Sequence, residues 1–311
     1  MRVIAPSESF FPKFTKELEE RAVKKLEEMG LKISFGKHVR ELNEFDTASV
    51  EHRLEDLHDA FSDSSVQAVI VANGGTSVNQ LLKDIDYELI KNNPKIFCGL
   101  SDLTELALAI HEKTGLVCYY GPHFSMLGAA EIIDPSYENM QKMFFSKEHV
   151  SLEAPEFYCD SAWDKEKILN DGFWTINEGE ADAESVGGNL LTINFAMGSR
   201  FMPSIKNKII FIEENKVIDY KGVQKEIQEI INHPDGGSVK GVIIGRFQKE
   251  TGMDRKLLTS LIKSKKEWKD IPVVGNVDCS HTAPMMSLPI GGKIKISAKS
   301  GDDVKIEVTR H

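Results

Sequence analysis

Residues 94–115 read PKIFCGLSDLTELALAIHEKTG, from Pro94 to Gly115. A short apolar run, IFCGL, ends in Ser-Asp and passes directly into an apolar helical repeat, so Ser101 falls on a tight strand-to-helix corner. A hydroxyl at such a corner projects from the carboxyl edge of a sheet. The first N–H groups of the new helix have no partner within it and point at whatever that hydroxyl meets. A serine nucleophile belongs in this place, although Ser-Asp ahead of a helix is also an ordinary cap.

Outward from the corner the chain alternates. RVIAP is a short β run, residues 14–29 carry apolar side chains at helical spacing until Gly30 stops them, and LKISFG resumes a strand. Residues 50–61 repeat as a helix, VQAVIVA is an apolar strand, and Asn73-Gly74-Gly75-Thr76 turns the chain into SVNQLL, read as a helix. This alternation predicts an α/β domain over residues 1–146, a flavodoxin-like parallel sheet covered on both faces. Ligands of such sheets sit beyond the carboxyl ends of the strands, where both the Gly-Gly turn and Ser101 fall.

After residue 146 the pattern changes. Residues 147–184 are polar, carry Trp163 and Trp174 and show no clean period, which reads as an interdomain linker. A second α/β domain is expected over residues 185–311. Its strands are KIIFIEE and GVIIGRF, its helices lie near residues 223–231 and 254–265, and its end is an antiparallel hairpin, KIKISAK and DVKIEVTR, around Ser-Gly-Asp. The whole is an α/β chain with a mixed second sheet and a cleft between domains.

Composition fits a globular protein of two ordinary domains: 311 residues, 41% hydrophobic and 28% charged. Acidic residues outnumber basic ones 48 to 38, and no long basic run tracks phosphates, so nucleic acid is not an expected partner. The opening MRVIAPSESFFPKF lacks a signal-peptide core and no apolar stretch approaches membrane length, so a cytoplasmic location with no membrane partner is expected. Cys98, Cys118, Cys159 and Cys279 have no CxxC spacing and read as buried thiols. The nine histidines form no HxxxH or HxH pair, so neither a metal site nor a cofactor is expected.

A serine nucleophile needs a base, and the base needs an acid to orient it. Glu213 ends the apolar run IIFIEE, which places its carboxylate at the tip of a buried strand, partly desolvated. Glu214 would then point the other way, to solvent. His281, in VVGNVDCSHTAPMMSLPIGG, follows an apolar strand and is hemmed in by Ser280, Thr282 and Pro284. Asn73-Gly74-Gly75 either relieves a positive φ or lets a backbone N–H approach a reacting carbonyl.

Taken in order, the motifs NGGTSVNQLL, GLSDLT, TGLVCYYGP, GGNLLTI, IIFIEE and DCSHTAPMMSLPIGG resemble the LD-carboxypeptidases and their relatives, the microcin C immunity peptidases. The resemblance covers nearly the whole chain. It implies a serine peptidase with Ser101 as nucleophile, Glu213 as acid and His281 as base. The backbone N–H groups of Gly75 and Asp102 would form the oxyanion hole. Gly74, Thr76, Asn189 and Trp163 would contact substrate, with Trp163 or Trp174 stacking on a base if the substrate is a peptidyl-nucleotide. A homodimer is also implied.

Asn79 and Gln80, where murein-acting members commonly have arginine, look more like the immunity branch. Ala183-Glu184-Ser185-Val186 departs from the family's usual Gly-Arg-hydrophobic-Ile, and Glu214 stands where many relatives have Asp. Two other classes stay open: a hydrolase with a cysteine nucleophile, for which Cys98 would have to serve, and a catalytically silent binding protein on the same fold.

Overall fold

The computed structural model describes residues 1–9 and 14–311, so part of the MRVIAPSESFFPKF reading, residues 10–13, lies outside the described residues. In the first domain β1 (Arg2–Ile4), α1 (Lys16–Glu28), β2 (Ser34–Phe35), α2 (Val50–Ser62), β3 (Ala68–Val71), α3 (Tyr87–Asn92), β4 (Ile96–Gly99), α4 (Leu103–Thr114) and β5 (Cys118–Tyr120) alternate along the chain. The strands pair in parallel in the order β2-β1-β3-β4-β5. The order reverses between β1 and β3, and the crevice beyond their carboxyl ends is where such sheets bind ligands. The loops after β1, β3 and β4 hold Ser7, the Gly-Gly turn and Ser101.

Every side chain of β3 is buried, as a strand covered on both faces requires. Helix α4 is buried from Leu103 to Ile110, and a helix that is mostly apolar around its girth must be enclosed on all sides. It lies between the two domains. Within it Glu105 is buried too, and burial followed by the nearby Asp102 carboxylate pushes its pKa up to about 7.

Helices α5 (Phe124–Ala129) and α6 (Asp134–Phe145) close the first domain. The chain then runs through β6 (Val150–Leu152), β7 (Phe157–Tyr158), β8 (Ile168–Leu169), β9 (Trp174–Asn177), β10 (Gly179–Asn189), α7 (Leu190–Ala196), β11 (Ile209–Glu213), α8 (Tyr220–Asn232), β12 (Gly241–Gly245), α9 (Arg255–Lys263) and β13 (Val273–Val277). It ends with β14 (Leu288–Ile290), β15 (Lys293–Lys299) and β16 (Asp303–Arg310). The second sheet has the order β6-β16-β15-β10-β11-β12-β13-β9, with β10 to β13 parallel and its outer strands antiparallel.

Two features differ from the sequence expectation. Residues 147–184 are not a plain linker, because β6, β9 and the first half of β10 belong to the second sheet. These strands are short or edge-lying, so half their side chains meet water and no apolar period shows. In addition, β14 leaves the second domain and pairs antiparallel with β5 of the first. The loop from β13 to β14 therefore crosses from one sheet to the other, and His281 rides on it. Met285 N–H donates to Ser136 Oγ at 2.8 Å and Ser287 N–H to Asn139 Oδ1 at 2.7 Å, tying that loop to α6.

SVNQLL also differs, forming only a 3-10 turn at Val78–Gln80. Side chains take up part of its backbone instead. The Asp102 carboxylate accepts the N–H groups of Ser77 and Val78, both at 2.9 Å, and Arg53 donates to the Ser77 carbonyl at 3.0 Å. All four cysteines are free and buried.

Candidate active site

Ser101 sits at φ +64°, in the left-handed region that non-glycine residues rarely occupy, and this strain turns β4 into α4 within one residue. The corner is held from several sides. Ser101 N–H donates to Tyr120 Oη at 3.0 Å, and Thr104 Oγ1 donates to the Ser101 carbonyl at 2.7 Å. Asp102, besides fixing the Gly-Gly loop, accepts the hydroxyl of Ser7. Among the described residues no acceptor takes the N–H of Gly75 or of Asp102, which leaves two amides beside the serine.

The second domain supplies the opposite wall. Asn189 at the end of β10 lies in register with Glu213 at the end of β11. Glu213 is completely buried, and its Oε2 lies 2.7 Å from His281 Nδ1. Its Oε1 accepts Tyr120 Oη–H at 2.6 Å and Asn189 Nδ2 at 3.2 Å. Tyr120 thus joins the serine's backbone to the acid that holds the histidine. Ser101 Oγ and His281 are not hydrogen-bonded to each other.

Burial alone would disfavour the charged imidazole of His281, but the Glu213 carboxylate, with Glu214 behind it, outweighs that cost and holds the pKa above its ordinary value. Burial likewise resists the Glu213 charge, and His281, Tyr120 and Asn189 overcome it, so Glu213 stays ionised. Burial first and Glu213 second push the Tyr120 phenol well up, which keeps it a donor.

Glu214 does not face solvent as the strand alternation suggested. The strand ends at Glu213, and the Glu214 carboxylate turns inward to accept Asn189 Nδ2 at 2.9 Å, Asn215 N–H at 2.9 Å and Leu191 N–H at 3.0 Å. Asn189, expected to touch substrate, commits its amide to both glutamates and its carbonyl oxygen to Thr192, at 3.1 Å from N–H and 2.8 Å from the hydroxyl. It is therefore a brace for the acid. Its own N–H reaches Thr104 Oγ1 at 2.9 Å across the domain seam. Gly188 makes that approach possible, since a Cβ there would lie 2.5 Å from Thr104.

Gly74 is beside the serine, where an added Cβ would be 3.3 Å from Ser101 Oγ. Thr76 is exposed. Trp163 is half-exposed and meets Phe14 edge-on at 6.3 Å, whereas Trp174 donates to Asp171 and lies under the Arg255 guanidinium, anchoring its segment. Cys98 is inside β4, away from the corner, and burial pushes its thiol pKa far up, so it does not fit a nucleophile.

Tyr120 and His123 carry no catalytic signature in the sequence beyond the phrase YYGPH at the end of the strand beside β4. The fold also brings His38, Glu41 and His52 together, with their ligand-type atoms within 4.8 Å of one another, a grouping that no spacing motif marks. The glutamate bridges both rings in that group, with His38 Nδ1 at 2.6 Å and His52 Nδ1 at 2.5 Å.

The model of the LD-carboxypeptidase N-terminal domain matches residues 1–121, and that of the C-terminal domain matches residues 182–296. The chain belongs to the LD-carboxypeptidase family. A Treponema pallidum protein provisionally named a carboxypeptidase is 39% identical over 302 residues, covering 96% of this chain and 89% of that one. The crystal structure of an MccF-like protein from Bacillus anthracis superposes with a TM-score of 0.96 at 36% identity, covering 100% of this chain and 96% of that chain.

The microcin C7 self-immunity protein MccF of Escherichia coli is 28% identical over 93% of this chain and 87% of its own length. Its structure with aspartyl sulfamoyl adenosine has a TM-score of 0.89, covering 100% of this chain and 95% of that one. The provisionally named carboxypeptidase stands at higher identity than MccF, so the comparisons show the family without singling out the immunity branch that Asn79 and Gln80 suggested. Among the described residues no helix is long and apolar enough to cross a membrane.

Removing the Tyr120 hydroxyl tests the seam. Tyr120→Phe withdraws a donor from the charged Glu213 and strands the Ser101 N–H, so kcat/KM is expected to fall by about tenfold to a hundredfold with the fold intact. Steady-state kinetics beside a melting curve checks this; unchanged kinetics would show that the bridge does not matter.

Proposed function

We propose that the protein is a serine peptidase that opens an amide with a Ser101–His281–Glu213 triad. The observation that carries this reading is the 2.7 Å contact of His281 Nδ1 with a wholly buried Glu213, set across the seam from a strained serine corner. A buried carboxylate on Nδ1 fixes the tautomer in which Nε2 is free to accept a proton. Ser101 Oγ adds to the scissile carbonyl carbon while its proton passes to His281 Nε2. The carbonyl oxygen becomes an oxyanion, held by the N–H groups of Gly75 and Asp102, each worth about 3 kcal/mol of transition-state stabilisation. His281 then returns the proton to the departing nitrogen, the C–N bond breaks, and water repeats the sequence on the acyl-enzyme.

The nucleophile and the base-acid pair come from different domains, so substrate can tighten the Ser101–His281 contact as it fills the cleft. The substrate is a short peptide or a peptidyl-nucleotide. The half-exposed Trp163, on the segment whose Cys159 pairs with Ala283 in the His281 loop, favours a leaving group carrying an aromatic base. Incubation with a muramyl tetrapeptide and, separately, with aspartyl sulfamoyl adenosine tests this reading. Release of D-alanine or of the nucleoside identifies the substrate, and no release from either counts against the proposal.

The pH profile gives a second test. Neutral His281 is the base, so kcat/KM rises with pH and levels off once the imidazole has lost its proton. The sequence alone would set the midpoint near the ordinary histidine value of ~6.5. The paired carboxylate raises it, so the midpoint is expected above that value. A flat profile between about pH 5 and 8 would contradict a histidine base.

A further inference from the structure

We propose that His123 is a substrate-binding residue of this same site, its Nε2 accepting an N–H carried by the residue on the acyl side of the scissile carbonyl. The proposal rests on the amide-hydrolase reading above. His123 follows β5, the strand next to β4, so its side chain arrives at the sheet edge that carries Ser101. It is buried, and Nε2 is enclosed without a hydrogen-bond partner. A buried polar atom left unpaired is costly and needs a reason.

The ring's orientation follows from its neighbours. Ser125 Oγ donates its one proton to Asn73 Oδ1 at 3.1 Å, so toward His123 Nδ1, 3.4 Å away, it can only accept. Nδ1 therefore carries the ring proton and Nε2 presents a lone pair. Burial, followed by the charge of His281, holds the His123 pKa down to about 3, so this lone pair persists across the working range.

What meets that lone pair follows from its place beside the nucleophile. The position a Cβ on Gly74 would take lies 3.3 Å from Ser101 Oγ and 3.5 Å from His123 Nε2, so the hydroxyl and the imidazole border the same glycine. Three substituents surround the carbon that Ser101 attacks. The oxygen goes to the amides of Gly75 and Asp102, and the leaving nitrogen to His281. The acyl-side α-carbon with its nitrogen remains for His123. Substrates with an α-N–H on that residue should be favoured over hydroxy-acid, N-alkylated or des-amino counterparts.

Two covalent probes separate these contributions whatever the natural substrate is. A 1-amino-2-carboxyethyl diphenyl phosphonate and its des-amino 2-carboxyethyl counterpart both form a Ser101 O–P bond with loss of phenoxide, and only the first presents the donor. The parent protein is expected to react about tenfold or more faster with the amino probe. His123→Met should erase that preference, slowing the amino probe about tenfold more than the des-amino probe, and His123→Gln, which restores an acceptor, should recover part of it. No preference in the parent, or equal slowing of both probes in a folded His123→Met, would overturn the role of His123. Failure of both probes to label the parent, or labelling that survives Ser101→Ala, would overturn the hydrolase reading and this proposal with it.

Discussion

Ser101→Ala is expected to lower kcat for amide hydrolysis by about 10⁴-fold or more, leaving only the contribution of binding and the oxyanion amides. The size of the effect follows from what the hydroxyl does. In the proposed mechanism it forms the covalent bond, and none of the four cysteines can replace it, because each is buried and has its pKa raised. Alanine keeps the corner's shape, and the hydrogen bonds that brace it run to the Ser101 backbone. Melting temperature should therefore stay near that of the parent, because alanine keeps the Cβ and with it the strain at φ +64°. A variant that folds normally and retains more than a few per cent of activity would refute covalent catalysis at Ser101.

The second large effect is expected at Glu213. Glu213→Gln preserves side-chain volume in a fully buried site but withdraws the charge that stabilises protonated His281, and it lets the amide present a donor to Nδ1. The first change destabilises the imidazolium formed in the transition state and the second favours the wrong tautomer, and a loss of about 10³- to 10⁴-fold in kcat is expected. The pH profile should move with it. The Glu213 carboxylate does most to raise the His281 pKa, so its removal leaves burial opposed only by the more distant Glu214, and the residual activity should have its midpoint shifted down. Loss of activity with an unmoved midpoint would assign Glu213 a purely structural part.

The first domain was readable from the sequence because its strands and helices are apolar enough to show their periods. VQAVIVA and IFCGL are buried strands, and the Ser101 corner lies between two strong patterns. Glu213 was legible for the same reason, standing at the end of a five-residue buried strand. What escaped is long-range or two-faced. Strands β6 and β9 lie at the edges of their sheet and look polar, and the crossing of β14 into the first sheet has no local signature.

Tyr120 and Asn189 escaped as functional braces for a related reason. A buried tyrosine and a capping asparagine are ordinary in sequence, and their worth appears only when the fold brings Glu213 within 2.6 Å of one and 3.2 Å of the other. Alternation put Glu214 in water because it assumes the strand continues, whereas three N–H donors capture that carboxylate where the strand stops. Local propensity explains the elements, while the seam is explained by pairings between distant residues such as Tyr120 and Glu213, 93 positions apart.

The most direct test of a triad assembled across the two domains is covalent labelling by a fluorophosphonate, with the site mapped by mass spectrometry. Stoichiometric adduct on Ser101, formed with loss of fluoride and slowed about a thousandfold or more in His281→Ala, is the result expected here. Adduct on another residue, none on a folded parent, or equal rates with and without the His281 imidazole would contradict it.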